Sequence, residues 1–480
     1  MKLSEFVNVD SVVTQVPPAT VSFSKPALIG DFPEIPIDKV YREITQSSQA
    51  SVLTTSAAAG LWASALWSQD LNIASAYIVR WISTAIAPRF VMTDAVQVVS
   101  AYNAITVSGS FSVTDGTTTE DFDTAPMDGF TTYAQVLAAI QAAVRTSSSF
   151  AADLSAAVVA LDDLGRPYLE TADTGESATT YSVVATGTPA GTDITAAGFL
   201  NIASRAFVVA GMDAEDMDDA LARMIEAKND FSIVHEIGGS VANQTSLAVA
   251  GSVYKKLVAF NVRDSHAKDA AQTDDLAYAL HAASNNWSFG IYTEWDNAFG
   301  WPAAAVNGQI LPRPPGSASG ANNLLNNVNE SGKGTDGTSV IPLTPDERAA
   351  LDDKGCDYIV EPIQGKHCAK GLTFGGLEIK TRVGLMWAEY MSMVEIASYL
   401  YQNEVTFNDA DINAIAGIIL NKLAILVQRK CLASYAANIP LASSISLSVQ
   451  AAHNLDLSEV ASAIAAYAIN TVTASIKVAA

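Results

Sequence analysis

Cysteine, histidine and positive charge are all scarce in this chain of 480 residues. Its three thiols, Cys356, Cys368 and Cys431, are far apart and lack the paired spacing of a metal knuckle. That speaks against a secreted disulfide scaffold and suits synthesis in a reducing cytosol. The five histidines are scattered, and only His367 adjoins a cysteine, Cys368, which is not tetrahedral zinc spacing. With 27 Lys and Arg against 50 Asp and Glu the formal charge is -23. No basic cluster stands out, so displacement of counterions from a nucleic acid is not expected. The spread acidity either keeps an abundant protein soluble before it assembles or is an ordinary solvated face. Lys2 and Glu5 around a single leucine do not make a signal peptide, and no apolar stretch is expected to reach the roughly 18 residues that cross a bilayer. What is plentiful is apolar residue: 49% hydrophobic against 16% charged describes an ordered globular protein of two to four domains.

Motifs with chemistry fare poorly. Gly332-Lys-Gly-Thr-Asp-Gly337 has the letters of a dinucleotide loop, but loop flanks it on both sides where a strand and a helix N-terminus are required. Gly238-Gly-Ser240 beside His235 and Glu236 suggests a hydrolase elbow, yet Ala242 stands where its second glycine belongs, and a glycine-rich turn after a strand is the better reading. Asp213, Glu215, Asp216, Asp218 and Asp219 lack the glycine and closing glutamate of a calcium loop and read as a solvated first helical turn. No cofactor, metal or catalytic residue is therefore assigned, and an enzyme is not expected.

The most self-contained stretch is 106–203. Ser108-Gly-Ser-Phe-Ser-Val-Thr-Asp-Gly116 alternates Phe111 and Val113 with small polar residues before an Asp-Gly turn. Thr132 and Gln135 have capping-box spacing, and Tyr133, Val136, Leu137, Ile140 and Val144 recur on one helical face. Residues 156–161 and 166–171 flank a turn as a second hairpin, and 181–185 adds a strand. Such a module, dropped into a longer chain, predicts a discontinuous host whose first part is 23–105 and whose second is 204–465.

In the host, 21–30 and 77–82 read as strands and 46–69 as a helix or helix pair. After the module, Ala206-Phe-Val-Val-Ala210 opens an alternation of strands (231–237, 257–262, 287–293) and helices (one starting at Asp213–Asp216, one at 274–283), the grammar of a parallel sheet. A loop at 309–339 interrupts it. Thr344-Pro-Asp-Glu347 is a capping box with proline at the first helical position. Strands are expected at 358–362 and 377–382, then helices at about 383–401 and 411–430, the second burying Ile412, Ile415, Ile419, Leu423 and Leu426.

The two ends read as extended arms. In residues 1–22, Val7, Val9 and Val12 lie in β-branched, proline-interrupted sequence. In 466–480, Val472, Ala474, Ile476 and Val478 alternate with Thr471, Thr473, Ser475 and Lys477. A terminal strand either joins its own sheet or pairs with another molecule. The route through 453–469, alanine-rich, reads equally as helix or strand.

The fold class expected is thus α/β multidomain, a discontinuous α/β host with a β-rich α+β insertion and extended terminal β-arms. This layout resembles the tail sheath proteins of contractile-tailed bacteriophages. The residues that carry the resemblance are Gly109-x-Phe-x-Val with Asp115-Gly116, then Trp301, Pro315-Gly316, Pro342-Leu-Thr344 and Gly371-Leu-Thr-Phe-Gly-Gly376. The resemblance implies a virion subunit, assembled in the host cytoplasm, that stacks as hexameric rings around a tail tube. Its partners would be copies of itself, the tube protein and the baseplate and terminator proteins, with no direct nucleic acid and no membrane. It further implies inter-subunit linkage through the arms at Val7, Val9, Val12, Val472, Ile476 and Val478. The competing readings are another virion component, such as a baseplate protein, and a cytosolic α/β enzyme with an inserted lid.

Overall fold

Runs such as Pro26–Gly30 and Ala76–Arg80 are buried from end to end, and a strand without a polar face belongs in the middle of a sheet covered on both sides. The computed structural model places them so. It describes residues 22–446 and 461–465, except 36–38, 52–56, 94–97, 163–164, 176–177, 188–189, 197–198, 203–205, 296–299, 322 and 363–364. The expected arms, with Val7, Val9, Val12, Val472, Ile476 and Val478, lie outside the described residues.

The chain divides into two compact units. The larger contains Pro26–Gly30, Tyr41–Val79 and everything described from Met217 onward; the smaller is Asp31–Val40 with Arg80–Asp216. The smaller unit is wider than the 106–203 module read from the sequence, because Arg89–Val91, before the module, pairs with Pro167–Glu170 inside it, and Phe207–Val209, after it, pairs with Arg89–Val91.

The larger unit is built on an eight-stranded sheet in the order His367–Cys368, Asp357–Val360, Ser288–Tyr292, Leu257–Val262, Ile233–Glu236, Pro26–Gly30, Ala76–Arg80, Tyr41–Ile44. Leu28 lies opposite His235, His235 opposite Ala259, and Phe260 opposite Gly290, all in parallel pairs. Antiparallel pairs close the two edges. This is the α/β class that alternating strand and helix predicted.

Helix starts are chemically explicit. Ser240 caps Val241–Tyr254, Asp275 caps Leu276–Ala282, and Thr344 caps Pro345–Asp353 in a capping box, the Glu347 Oε2 accepting from Thr344 N–H at 2.8 Å. In Met217–Ala227 the face Met217, Leu221, Met224 and Ile225 is buried, as its spacing required.

Four expectations change. Phe207–Val209 does not resume the host sheet; it pairs antiparallel with Arg89–Val91 in the smaller unit. Residues 377–382 are not a strand, because the helix already begins at Ile379 and runs to Gln402; the β-branched Ile379 and Thr381 are both buried there, and packing overrides propensity. The loop expected at 309–339 begins later, because Gln309 and Ile310 end the helix Pro302–Ile310; this helix is buried at every residue, and its small residues without amphipathic period carry no helical signal. A Cβ at its Gly308 would stand 2.3 Å from the Leu66 carbonyl oxygen, so only glycine lets it approach the helix Ala57–Trp67 so closely. Finally, Asp409–Gln428 has the length and composition of a membrane span, against the expectation that no stretch does. Its Lys422 is buried in an ion pair with Glu395 of the helix Ile379–Gln402, and Asp409 and Asp411 occupy its first turn, charges that a bilayer core holds only at high cost.

In the smaller unit, Gly109–Thr114 pairs antiparallel with Thr119–Asp123 across the Asp115-Gly116 turn and with Ser182–Val184, and parallel with Thr192–Asp193. Phe111 and Val113 are buried as expected, but so are Ser110 and Ser112, whose hydroxyls donate to Asp123 and Asp121 at 2.5 Å. A second sheet runs Phe207–Val209, Arg89–Val91, Pro167–Glu170, Val158–Leu161. The helix Tyr133–Val144 sends Val136, Leu137, Ile140 and Val144 into a core shared with Phe111, Leu169 and Leu200.

Candidate assembly surface

Leu432-Ala-Ser-Tyr-Ala-Ala437 follows the helix Asp409–Gln428 through Lys430, whose φ of +60 turns the chain out of the helix. The root of this strand is nailed down. Cys431 and Leu432 are buried, the Thr381 hydroxyl donates to the Cys431 carbonyl at 3.2 Å, and the Cys431 thiol donates to the Gly316 carbonyl at 2.9 Å. Arg429 donates to the Pro315 carbonyl at 2.7 Å and lays its guanidinium over the Trp387 ring at 4.5 Å. Gly316 itself has φ +81, and a Cβ on it would meet the Cys431 sulfur at 2.5 Å, so the Pro315-Gly316 pair is required by close contact as well as by the turn.

Beyond that root the strand stands in water: Ala433, Ser434, Ala436 and Ala437 are exposed and Tyr435 is half-buried. Its partner is Ala461–Ala465, antiparallel, with Leu432 opposite Ala465 and Ala437 opposite Ala461. Among the described residues these two strands form a sheet of their own, with no third strand at either edge. Two strands without a covering layer are marginal in water, and each free edge presents unpaired backbone donors and acceptors. The alanine-rich 453–469, ambiguous as sequence, is therefore strand at 461–465. No periodic signal announced the pairing, because alternation among alanine and serine has no hydrophobic contrast.

The helices Ile379–Gln402 and Asp409–Gln428 pack as a hairpin next to this sheet. Near the root Ala388, Leu426 and Leu432 share a core with Trp387 and Leu423; towards the tip Ile396 and Ile415 form a second, smaller one with Met393, Leu400 and Ile419. Tyr401 at the tip is exposed.

The buried polar groups of the larger unit are structural in geometry. Lys354 donates to the Asp275 carboxylate at 2.7 Å and to the carbonyls of His266 and Asp269 at 2.6 and 2.9 Å, tying three segments together. The Asp357 carboxylate accepts from the backbone N–H groups of Lys370, Gly371 and Leu372; burial pushes its carboxyl up while these donors pull the other way. Burial likewise raises Glu236, which accepts from Gln244 at 2.6 Å and Gly239 N–H at 3.2 Å. Gly238-Gly239-Ser240 is thus a strand-to-helix turn anchored by Glu236. His235, fully buried, is held neutral by desolvation, its pKa down at about 3; its Nε2 meets the Asn307 amide at 2.9 Å and its ring stands edge-on to Trp62. Desolvation also brings the Lys256 ammonium down to about 7, where it donates to the Phe231 carbonyl.

At Gly332–Gly337 the chain turns on Asp336, whose Oδ1 accepts from Thr338 and Ser339 N–H at 2.9 and 2.8 Å; the Ser339 hydroxyl, donating to Oδ2, and then these N–H groups lower its pKa to about 2. Lys333 bridges back to Val340, and no helix follows the turn directly. Among the described residues no group of three or more His, Cys, Asp or Glu side chains has metal-site geometry.

No family model matches the chain, and no curated protein does. In structure it is similar to sheath tail proteins. One, from Listeria innocua, is 9% identical, with 88% of this chain and 90% of that one covered and a TM-score of 0.40. Another, from Desulfitobacterium hafniense, is 11% identical with the same coverage and a TM-score of 0.39. A chain of the anti-feeding prophage baseplate is 14% identical over 56% of this chain and 75% of that one, with a TM-score of 0.40. At such identities and scores the likeness assigns neither a residue nor an activity to this chain.

Proposed function

We propose that this chain is a structural subunit of a contractile phage-type tail sheath, polymerising as stacked rings around a tail tube and shortening to drive it through a host envelope. The observation that carries the reading is the two-stranded sheet Leu432–Ala437 with Ala461–Ala465: a firmly rooted strand pair with two open edges among the described residues, followed in sequence by the alternating segment 466–480. Open edges and strand-forming ends are complementary halves of strand exchange between copies. Backbone pairing survives sliding of the bodies it joins, which suits an assembly that changes length without coming apart. The partners under this reading are further copies, the tube protein and the proteins that start and end the tail.

Deletion of residues 474–480 tests it. The truncated subunit should melt cooperatively like the full chain and no longer form regular tubes in negative-stain micrographs. Tubes of normal appearance from the truncated protein would sink the arm-exchange reading, and loss of folding would assign the strand to the subunit's own core.

A further inference from the structure

The crease between the helices Met217–Ala227 and Val241–Tyr254 is an open groove of about 390 Å³. Ala222, Val249 and Val253 form its apolar lining, and Asp218 and Asp219 its acidic part. Val249 and Val253 are 54% and 55% exposed, and, one helical turn apart, they stand about 6 Å from each other along the axis. One aliphatic side chain fits between them. The Oδ1 of Asp218 is buried without a hydrogen-bond partner, so the charge of that carboxylate is left to its other oxygen and to whatever occupies the groove.

What fits such a groove is an exposed aliphatic side chain with a cation on the same face. Among the described residues, Val340 is the exposed large aliphatic that lies opposite a cation in a strand or bridge pairing: it faces Lys333 across the turn that follows Gly332. Gly334 N–H donates to the Ser339 carbonyl at 2.7 Å, so Lys333 and Val340 are a non-hydrogen-bonded pair, with Cα atoms about 4.5 Å apart and both side chains on one face. A Cβ at Gly332 would collide with the Ile341 carbonyl oxygen, so glycine is what lets the base of the turn close. The turn is fixed to its own subunit: Lys333 N–H donates to Glu294 Oε2 at 2.8 Å, and the Lys333 ammonium lies 5.3 Å above the Trp295 ring. Anchored there, it contributes no residue to the groove of its own chain, which leaves the groove to a second copy.

We propose that the turn Lys333–Val340 of one copy docks in this groove on a second copy, with Val340 seated between Val249 and Val253 and the Lys333 ammonium at Asp218 and Asp219. The proposal rests on the sheath reading and adds to it a side-chain contact between bodies, separate from the backbone pairing of the ends. Turn and groove are different surfaces, so the contact is heterologous. A copy that has given its turn still offers its groove, and repetition builds rings or filaments rather than closed pairs.

The test is cross-linking between two full-length variants, Val253→Cys and Val340→Cys, mixed before assembly and oxidised mildly. The native thiols Cys356, Cys368 and Cys431 are all buried and do not compete. A disulfide-linked dimer should form in the mixture and in neither variant alone, and a chain carrying both cysteines should give a ladder of dimers, trimers and longer products. Adding Lys333→Glu to the second variant should lower the dimer yield severalfold at low salt, and adding Asp219→Lys to the first should restore it. The loss should shrink in about 0.5 M salt, where screening shortens the reach of the charges. Normal tubes without the cross-link would overturn the docking and leave the sheath reading standing. A charge-dependent cross-link in a protein that forms no tubes would uphold the docking and remove the sheath reading. A disulfide that closes only within a single chain carrying both cysteines would place turn and groove in one subunit and overturn the docking.

Discussion

The strands Pro26–Gly30 and Leu432–Ala437 differ by one residue in length and neither is rich in the β-branched residues that strands favour, yet one is buried at all its positions and the other only at its first. Pro26–Gly30 has neighbours on both edges in the eight-stranded sheet; among the described residues Leu432–Ala437 has one partner, Ala461–Ala465. The difference teaches where the subunit ends. A strand whose side chains are all sequestered contributes to the stability of the single chain. Under the proposed function, one that is rooted by Cys431 and Leu432 and otherwise exposed serves contacts with other copies.

The sharpest way to break this contrast is to damage each side and compare. Trp62→Ala, at a fully buried tryptophan beside His235, should cost about 3–5 kcal/mol in chemical unfolding. Lys354→Met should come close, about 3–5 kcal/mol, because it strands the Asp275 carboxylate, which is itself fully buried, without its cation; the double variant with Asp275→Leu should recover much of the loss.

Acid should act on the same buried sheet. His235 has a folded pKa of about 3 against an ordinary 6.5, so below 6.5 the unfolded chain takes up a proton that the folded chain refuses. Its contribution is complete above the ordinary value and is lost as pH falls from about 6.5 towards 3, at up to about 1.4 kcal/mol per pH unit. Carboxylates held low, such as Glu43 and Asp230, add loss of the same sign at more acidic pH. The difference in pH slope between the wild type and His235→Gln, read from urea midpoints at pH 7 and pH 5, isolates the histidine; parallel slopes would mean that the imidazole is solvated.

The smallest effect on stability belongs to the exposed sheet. Ala436→Pro, in the open part of Leu432–Ala437, should shift the unfolding midpoint by less than about 1 kcal/mol, a surface-scale change. It should nonetheless abolish tube formation in micrographs. If it instead unfolded the chain, the two sheets would be equivalent and the contrast would be lost.

Much of the chain was legible before any fold was known, wherever a residue acts through its immediate neighbours. The Thr344–Glu347 capping box, the Asp115-Gly116 turn, the buried face of Met217–Ala227 and the alternation that predicts a parallel sheet are such cases. What needed the tertiary structure is what depends on partners far along the chain. Phe207–Val209 could have joined either unit, and only its pairing with Arg89–Val91 assigned it. Thr381 reads as strand until its hydroxyl is seen on the Cys431 carbonyl, fifty residues on. Pro302–Ile310 has no amphipathic period because every side of it is covered, and Gly308 is explained only by Leu66. The terminal segments that the sequence reading marked as strands by their alternation lie outside the described residues. The two-stranded sheet of Leu432–Ala437 and Ala461–Ala465 came only with the fold. Local sequence determines which backbone shape a segment prefers, since that choice is made among adjacent residues. Exposure is a property of what the rest of the chain leaves uncovered, and no segment carries it alone.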